Sequence, residues 1–66
     1  MKVVVNGATR ELPEGMTGEQ LLTSLQLSPA ALVVELNGQV LKTSEFLAHP
    51  LVEGDSVELV TVVGGG

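Results

Sequence analysis

The segment Ser56-Val57-Glu58-Leu59-Val60-Thr61-Val62-Val63 is the longest predicted strand of the chain, and Gly64-Gly65-Gly66 follows it directly. Its β-branched and aliphatic residues favour an extended backbone that packs within a sheet. Glycine has no Cβ, so the three glycines have no preferred fold and are thin enough to enter a narrow active-site channel. We therefore predict a folded domain over residues 1–63 and a flexible, reactive tail over residues 64–66.

The reactive group of this tail is the terminal carboxylate of Gly66. A carboxylate is a poor electrophile until it is activated, and the usual activation is its attack on the α-phosphate of ATP, which forms an acyl-adenylate. We expect a partner enzyme to carry out this step with ATP and to recognise Gly64 and Gly65 by their small width. A frayed chain end without function is the alternative, because chain ends are commonly disordered.

Composition limits the other functions that the chain could have. Its 66 residues form one small domain with Phe46 as the only aromatic residue, so a deep aromatic-lined ligand pocket is not expected. The lack of cysteine excludes disulfides, thiolate zinc sites, iron–sulfur clusters and a cysteine nucleophile. A net charge of −5 argues against a nucleic-acid partner and favours a protein partner with a basic face.

No side chain is predicted to be catalytic, to bind a metal ion or to hold a cofactor. His49 is the only histidine, and a single loop histidine without a second ligand is usually structural. Glu53, Asp55 and Glu58 are interpreted as solvated acids, with Asp55 forming a turn after Gly54. No apolar stretch is long enough to span a membrane or to act as a signal peptide, so we expect a cytoplasmic protein without membrane contact.

Turn and cap signals divide the rest of the chain into short elements. Asn6-Gly7 and Asn37-Gly38 each predict a tight hairpin, because both central residues of such a turn need positive φ. Thr17 and Gln20 have the spacing of a capping box and predict the start of a helix. Because proline cannot continue a helix, this helix is predicted to end before Ser28-Pro29.

These elements predict an α+β domain with one helix on one face of a mixed sheet of four or five strands. Residues 8–12 resemble an edge strand, and residues 43–47 resemble a single capped turn. The two most apolar runs, at residues 1–5 and 57–63, are expected to lie parallel and side by side at the sheet centre, because the chain crosses over through the helix. This is the β-grasp arrangement.

One helix shields only one face of the sheet, so the alternating valines of the last strand cannot all be buried. We expect Val60 and Val62 to face outward beside the tail and to form a docking surface, with ordinary scattered surface valine as the alternative. The predicted core consists of Val3, Val5, Leu21, Leu22, Leu25, Val34, Leu36, Phe46, Val57 and Leu59.

With these features in place, the chain resembles the ThiS family of sulfur carriers of thiamin biosynthesis. The matching residues extend over most of the chain and are Met16-Thr17, Leu21-Leu22, Val34-Glu35-Leu36-Asn37-Gly38 with Val40, Ser44-Glu45-Phe46, Glu53-Gly54-Asp55, Val57-Glu58-Leu59-Val60 and Val63-Gly64-Gly65-Gly66. Members often carry Pro-Arg where this chain has Leu41-Lys42. No role is therefore assigned to Lys42.

The resemblance implies a ubiquitin-like β-grasp protein that serves as a cosubstrate and is not itself an enzyme. It implies that a ThiF-like adenylating enzyme uses ATP to activate Gly66, that a sulfur-donor protein supplies sulfur, and that the resulting thiocarboxylate serves a ThiG-like thiazole synthase. The small subunit of molybdopterin synthase shares this fold and a glycine end, although its chains are usually longer. A β-grasp interaction module with an inert tail is the remaining alternative.

Overall fold

The computed structural model describes residues 1–62 as one mixed sheet with helices packed on one face. Within this range the elements, in chain order, are β1 (Lys2–Val5), β2 (Ala8–Glu11), α1 (Gly18–Ser24), β3 (Leu32–Leu36), β4 (Gln39–Leu41), α2 (Thr43–Ala48) and β5 (Ser56–Thr61). The strand order is β2-β1-β5-β3-β4. The predicted α+β class, the edge position of β2 and the parallel central pair of β1 and β5 are confirmed.

Both hairpins turn at the predicted Asn-Gly pairs. Asn6 and Gly7 have φ values of 49° and 82°, and Asn37 and Gly38 have φ values of 52° and 83°. Positive φ at both central residues defines the turn that matches the twist of antiparallel strands. The turns therefore fix the registers of the β1–β2 and β3–β4 ladders.

Helix α1 begins at the predicted capping box but ends earlier than its proline requires. The Thr17 hydroxyl accepts from the Gln20 backbone N–H at 3.3 Å, and the Gln20 side chain accepts from the Thr17 N–H at 3.0 Å. At the other end Gln26 has a φ of 59°, and the Leu27 N–H donates to the Leu22 carbonyl at 2.9 Å. This left-handed cap stops the helix at Ser24, before the proline is reached.

The prediction of one helix on the covered face was wrong. The segment read as a single capped turn forms the second helix, α2, which packs against α1 and carries the fully buried Phe46. Gly18, the first residue of α1, lies against the backbone of Phe46 and donates its N–H to the His49 carbonyl at 3.0 Å. The two short helices cover the sheet together.

The core lies between the sheet and these helices. Its buried hydrophobic residues are Val3, Val5, Leu21, Leu22, Leu32, Val34, Phe46, Leu51, Val57 and Leu59. Two predicted members, Leu25 and Leu36, are only partly buried, because Leu25 is the terminal cap of α1 and Leu36 lies at the end of β3. Leu32 and Leu51 were not predicted. In residues 1–62 no helix has the length and apolar character needed to cross a bilayer.

Candidate functional site

The candidate site is the end of β5 and the sheet face beside it, because this strand leads to the glycine tail. The ladder between β3 and β5 runs to Thr61, and the Val62 N–H donates to the Ala31 carbonyl at 2.8 Å. Gly64, Gly65 and Gly66, which the sequence assigns to the tail, lie outside the described residues. The structure therefore describes the end of β5 and the sheet face beside it, which precede the tail in the chain.

Asn6 holds β5 from the side of β1. Its backbone N–H donates to the Val57 carbonyl at 2.8 Å, as the next rung of the parallel ladder. Its side-chain amide then bonds both backbone groups of Leu59: Oδ1 accepts from the N–H at 2.7 Å, and Nδ2 donates to the carbonyl at 3.3 Å. The amide thus takes the place of a further strand residue beside β5.

Asn37 holds the start of β5 from the side of β3. Its backbone N–H donates to the Ser56 carbonyl at 2.7 Å, and its Oδ1 accepts from the Ser56 N–H at 2.9 Å. Its Nδ2 donates to Oδ1 of Asp55 at 3.0 Å. The two Asn-Gly turns therefore both form hairpins and fix β5 between them, which orients the strand that carries the tail.

The face of the sheet opposite the helices carries exposed valines near the end of β5. Val60 is 53% exposed and Val62 is 51% exposed, and Val33, directly opposite Val60 on β3, is 40% exposed. Along the same strands Glu35 lies opposite Glu58. The predicted outward orientation of Val60 and Val62 is confirmed, while their use as a docking surface stays a prediction.

Asp55 departs from its interpretation as a solvated acid, because it is only 5% exposed. Its Oδ2 accepts from the Val52 N–H at 3.0 Å and lies 3.1 Å from Nε2 of His49, and its Oδ1 accepts from Asn37. Burial by itself would raise the pKa of this carboxyl group, but the hydrogen bonds from Asn37, Val52 and His49, with the charge of His49, lower the pKa below its ordinary value. The carboxylate is a structural acceptor that joins three segments.

The cluster of Asn37, His49 and Asp55 was not predicted from the sequence, because its members are distant from one another in the chain. The signals were present as Asn37 before Gly38 and Asp55 after Gly54, but each also satisfies the simpler requirement of a turn. His49 contacts Asp55 and no other titratable side chain in the described part. Residues 1–62 contain no group of three acidic, histidine or cysteine side chains placed to hold a metal ion.

Comparison with known proteins points to one family. The model of the ThiS family matches residues 3–66. The thiazole synthases of Paramagnetospirillum magneticum and Magnetococcus marinus are 35% and 36% identical to the chain over all 66 of its residues, and the chain spans only about 20% of the length of each. The sulfur carrier protein ThiS of Escherichia coli is 26% identical, with both chains covered completely.

A solved structure gives the same result for the fold. The crystal structure of the thiamine biosynthesis protein ThiS from Geobacter metallireducens aligns with a TM-score of 0.80 at 36% identity, and the alignment covers 100% of both chains. A solution structure of a thiamine biosynthesis protein from the same organism aligns with a TM-score of 0.76, over 100% of this chain and 88% of the other. The sheet and helices described above are thus those of a known small fold.

Proposed function

The chain belongs to the ThiS family, and on that premise we propose that it is a sulfur carrier of thiamine biosynthesis, with Gly66 as the residue that bears the sulfur. The observation that carries the proposal is the extent of the family match, which runs from residue 3 to residue 66 and so includes the glycine tail. The complete coverage of both chains in the comparison with the Escherichia coli sulfur carrier supports the same function.

In the proposed reaction the chain is a cosubstrate and a partner enzyme does the chemistry. A carboxylate oxygen of Gly66 attacks the α-phosphate of ATP, pyrophosphate leaves, and an acyl-adenylate forms. A persulfide sulfur of a donor protein then attacks the carbonyl carbon and AMP leaves, which gives an acyl disulfide between the tail and the donor. A thiol of the partner proteins next attacks the donor sulfur, so that a disulfide forms on the partner side and a thiocarboxylate is released on the tail. The chain contains no cysteine, so neither activated species meets an internal thiol that could capture it.

We propose that the exposed valines dock on the adenylating enzyme, which would be ThiF-like. Val60 and Val62 lie on the open face within the last residues before the tail, where an apolar contact would also position the reacting carboxylate. Exposed apolar side chains of this kind mark interaction sites when they are grouped. Val33, which is paired directly with Val60, is exposed as well, at 40%.

A ThiG-like thiazole synthase is the proposed acceptor of the sulfur. Two relatives that match the whole chain are named thiazole synthase, and the matching region forms about 20% of each. A domain of this type therefore occurs within the same polypeptide as a thiazole synthase in those proteins. We also propose a cytoplasmic location, since the reaction needs ATP and an adenylating enzyme.

Two variants test the tail: Gly65→Val and a deletion of Gly66. The assay is ATP–pyrophosphate exchange catalysed by the ThiF-type enzyme that is encoded in the same genome as this chain. Valine adds a β-branched side chain one residue before the carboxylate, where a channel of glycine width would exclude it. Both variants should melt as the unaltered protein does, because both changes lie outside the core of the described residues, which ends at Leu59, and substitutions away from such a core usually change stability by no more than about 0.5 kcal/mol. Both should lose exchange.

Thr9→Val is the matched control, because it introduces the same side chain at an exposed position on β2, two strands away from β5. It should retain both melting temperature and exchange. If Gly65→Val and the Gly66 deletion also retained normal exchange, the tail would be an inert end and the interaction-module hypothesis would replace the carrier hypothesis.

A further inference from the structure

Strand β5 extends past the end of β1, and this overhang leaves part of its backbone open. In an antiparallel ladder, successive residues direct their N–H and C=O groups to alternate sides. The bonds from Asn37 to Ser56 and from Val62 to Ala31 show that the even-numbered residues of β5 direct their backbone N–H and C=O groups toward β3. The odd-numbered residues, which are Val57, Leu59 and Thr61, are therefore directed toward the side of β1.

On that side, counting partners within residues 1–62, the backbone of β5 is hydrogen-bonded as far as Leu59 and no further. Asn6 bonds the Val57 carbonyl through its own N–H and both backbone groups of Leu59 through its side-chain amide. The next residue whose backbone groups are directed toward the side of β1 is Thr61. Among residues 1–62, no group hydrogen-bonds to the Thr61 backbone N–H or carbonyl on this side.

The Thr61 edge, defined as the backbone N–H and carbonyl of Thr61 on the side of β1, is already held in strand geometry. Thr61 is paired opposite Leu32, and the Val62–Ala31 bond holds the following residue against β3. Ordering these groups before binding lowers the entropic cost of adding another strand there.

The space beside this edge is open. β1 ends at Val5, and the Asn6-Gly7 turn directs the chain back along the far side of β1 as β2. A Cβ added at Gly7 would meet no atom within 4 Å other than those of Gly7 and its two chain neighbours. An extended segment in line with β1 could therefore lie beside Thr61, and its side chains would reach the exposed Val60 and Val62.

We propose that the adenylating partner adds an extended strand to the Thr61 edge, so that the sheet continues into the partner at the point where the tail begins. The inference rests on the proposed function and names how that partner holds the carrier. Strand addition draws affinity from main-chain hydrogen bonds and specificity from alternate side chains. Here the main-chain bonds would fix the direction of the tail, while the valines supply the apolar contact.

The first test uses amide hydrogen exchange of the unaltered protein, observed residue by residue by NMR. In the free protein the Thr61 amide should exchange rapidly, while the Val62 amide, which is bonded to Ala31, should be protected. Saturating ThiF-type enzyme should slow exchange at Thr61 by at least about tenfold. Rapid exchange at Thr61 in the saturated complex would overturn the proposal.

The second test removes the donor without removing an internal hydrogen bond. Thr61→Pro deletes an N–H that has no partner in residues 1–62, and proline is tolerated where a strand's N–H faces away from its ladder. We expect a melting temperature close to that of the unaltered protein and a roughly tenfold weaker affinity for the enzyme, since a bound carbonyl loses its donor. Thr61→Val keeps the N–H and should bind normally.

Val62→Pro is the structural control, because it deletes the N–H that bonds Ala31 and should lower the melting temperature. Equal affinities of Thr61→Pro and Thr61→Val would overturn the strand addition while leaving the carrier function intact, provided that the unaltered protein supports ATP–pyrophosphate exchange. Absence of exchange with the unaltered protein would instead count against the proposed function itself. If the Thr61 amide became protected from hydrogen exchange as the concentration of this chain rose, with no enzyme present, a second copy of the chain would be the occupant. That result would overturn the enzyme as the partner.

Discussion

Gly18→Ala gives a sharp test of how the two helices pack, because in this structure the substitution should destabilise the protein, whereas glycine-to-alanine changes in helices usually stabilise it. Glycine inside a helix is less favourable than alanine by about 0.8–1.0 kcal/mol, so the replacement normally stabilises. At Gly18, however, an added Cβ would lie 2.0 Å from the carbonyl oxygen of Phe46, 2.8 Å from its carbonyl carbon and 2.9 Å from its Cδ2.

These contacts cannot be relieved by turning one side chain, because two of the three atoms belong to the backbone of α2. Cβ atoms essentially never lie closer than 3.0 Å to such a neighbour, so the helices would have to separate by about 1 Å. This would disturb the fully buried Phe46 and the 3.0 Å bond from the Gly18 N–H to the His49 carbonyl. Overpacking of this kind costs roughly 1–3 kcal/mol and occasionally more. The 2.0 Å contact with a backbone atom places this substitution at the upper end of that range, about 3 kcal/mol, and subtracting roughly 1 kcal/mol of helix propensity leaves a net loss of about 2 kcal/mol.

Thermal and urea unfolding measure this loss. In a domain of this size 1 kcal/mol corresponds to a change in Tm of about 4–8 °C, so Gly18→Ala should lower Tm by roughly 10 °C. Thr23→Ala, on the exposed side of the same helix, is the control and should change Tm little. A Gly18→Ala variant that melts at or above the temperature of the unaltered protein would refute the close packing of α1 on α2.

Three further changes test the core, the buried acid and the open face. Leu22→Ala should destabilise by about 2–5 kcal/mol in urea unfolding, and Leu25→Ala clearly less because Leu25 is only partly buried; equal losses would contradict this packing. The pKa of Asp55 is lowered by folding, so its carboxylate stabilises the fold above the unfolded-state pKa of about 3.9, and that contribution is lost as pH falls through the folded-state pKa. Asp55→Asn should therefore lose less stability than the unaltered protein between pH 7 and pH 3, and an equal loss would assign the acid sensitivity to other groups. Val60→Asp should weaken binding of the adenylating enzyme in calorimetry while Ser44→Asp, on the helical side, does not; normal binding by Val60→Asp would move the docking surface elsewhere.

Most of the sheet could be predicted from the sequence because its signals are local. Asn6-Gly7 and Asn37-Gly38 specify turns by the backbone angles that they permit, and the capping box at Thr17 and Gln20 lies within one helical turn. The parallel pairing of β1 with β5 followed from the crossover through a helix. In each of these cases the deciding interaction spans only a few residues or follows from chain order.

The features that the sequence did not predict depend on contacts between distant segments. Helix α2 has six residues and no side-chain cap, so its pattern cannot be separated from that of a turn, and its stability comes from burying Phe46 against α1. Leu51 lies in an irregular segment whose backbone is joined to the start of α1 by the bond from the Leu51 N–H to the Met16 carbonyl at 2.8 Å, and its side chain belongs to the core. Asp55 is buried because Asn37, which is far from it in the chain, supplies a donor.

The candidate site likewise has one feature that the sequence predicts and one that it does not. Outward orientation of Val60 and Val62 follows from strand alternation, whereas the Thr61 edge depends on how Asn6 caps the neighbouring ladder. A hydrogen bond between a turn side chain and a strand more than fifty residues later, as in the Asn6–Leu59 pair with a separation of 53, has no local signature.

The two Asn-Gly turns also determine how the protein ages chemically. In an Asn-Gly sequence the glycine nitrogen can attack the asparagine side-chain carbonyl, and hydrolysis of the resulting succinimide leaves an acidic residue. Both side-chain amides are held by hydrogen bonds to the segment that begins at Asp55, so the folded chain should deamidate more slowly than the unfolded chain. At Asn37 the product would place a second carboxylate where an amide donor now lies 3.0 Å from Asp55. The first deamidation there would loosen the fold and expose the remaining turn, so chemical damage in a stored sample should accelerate with time.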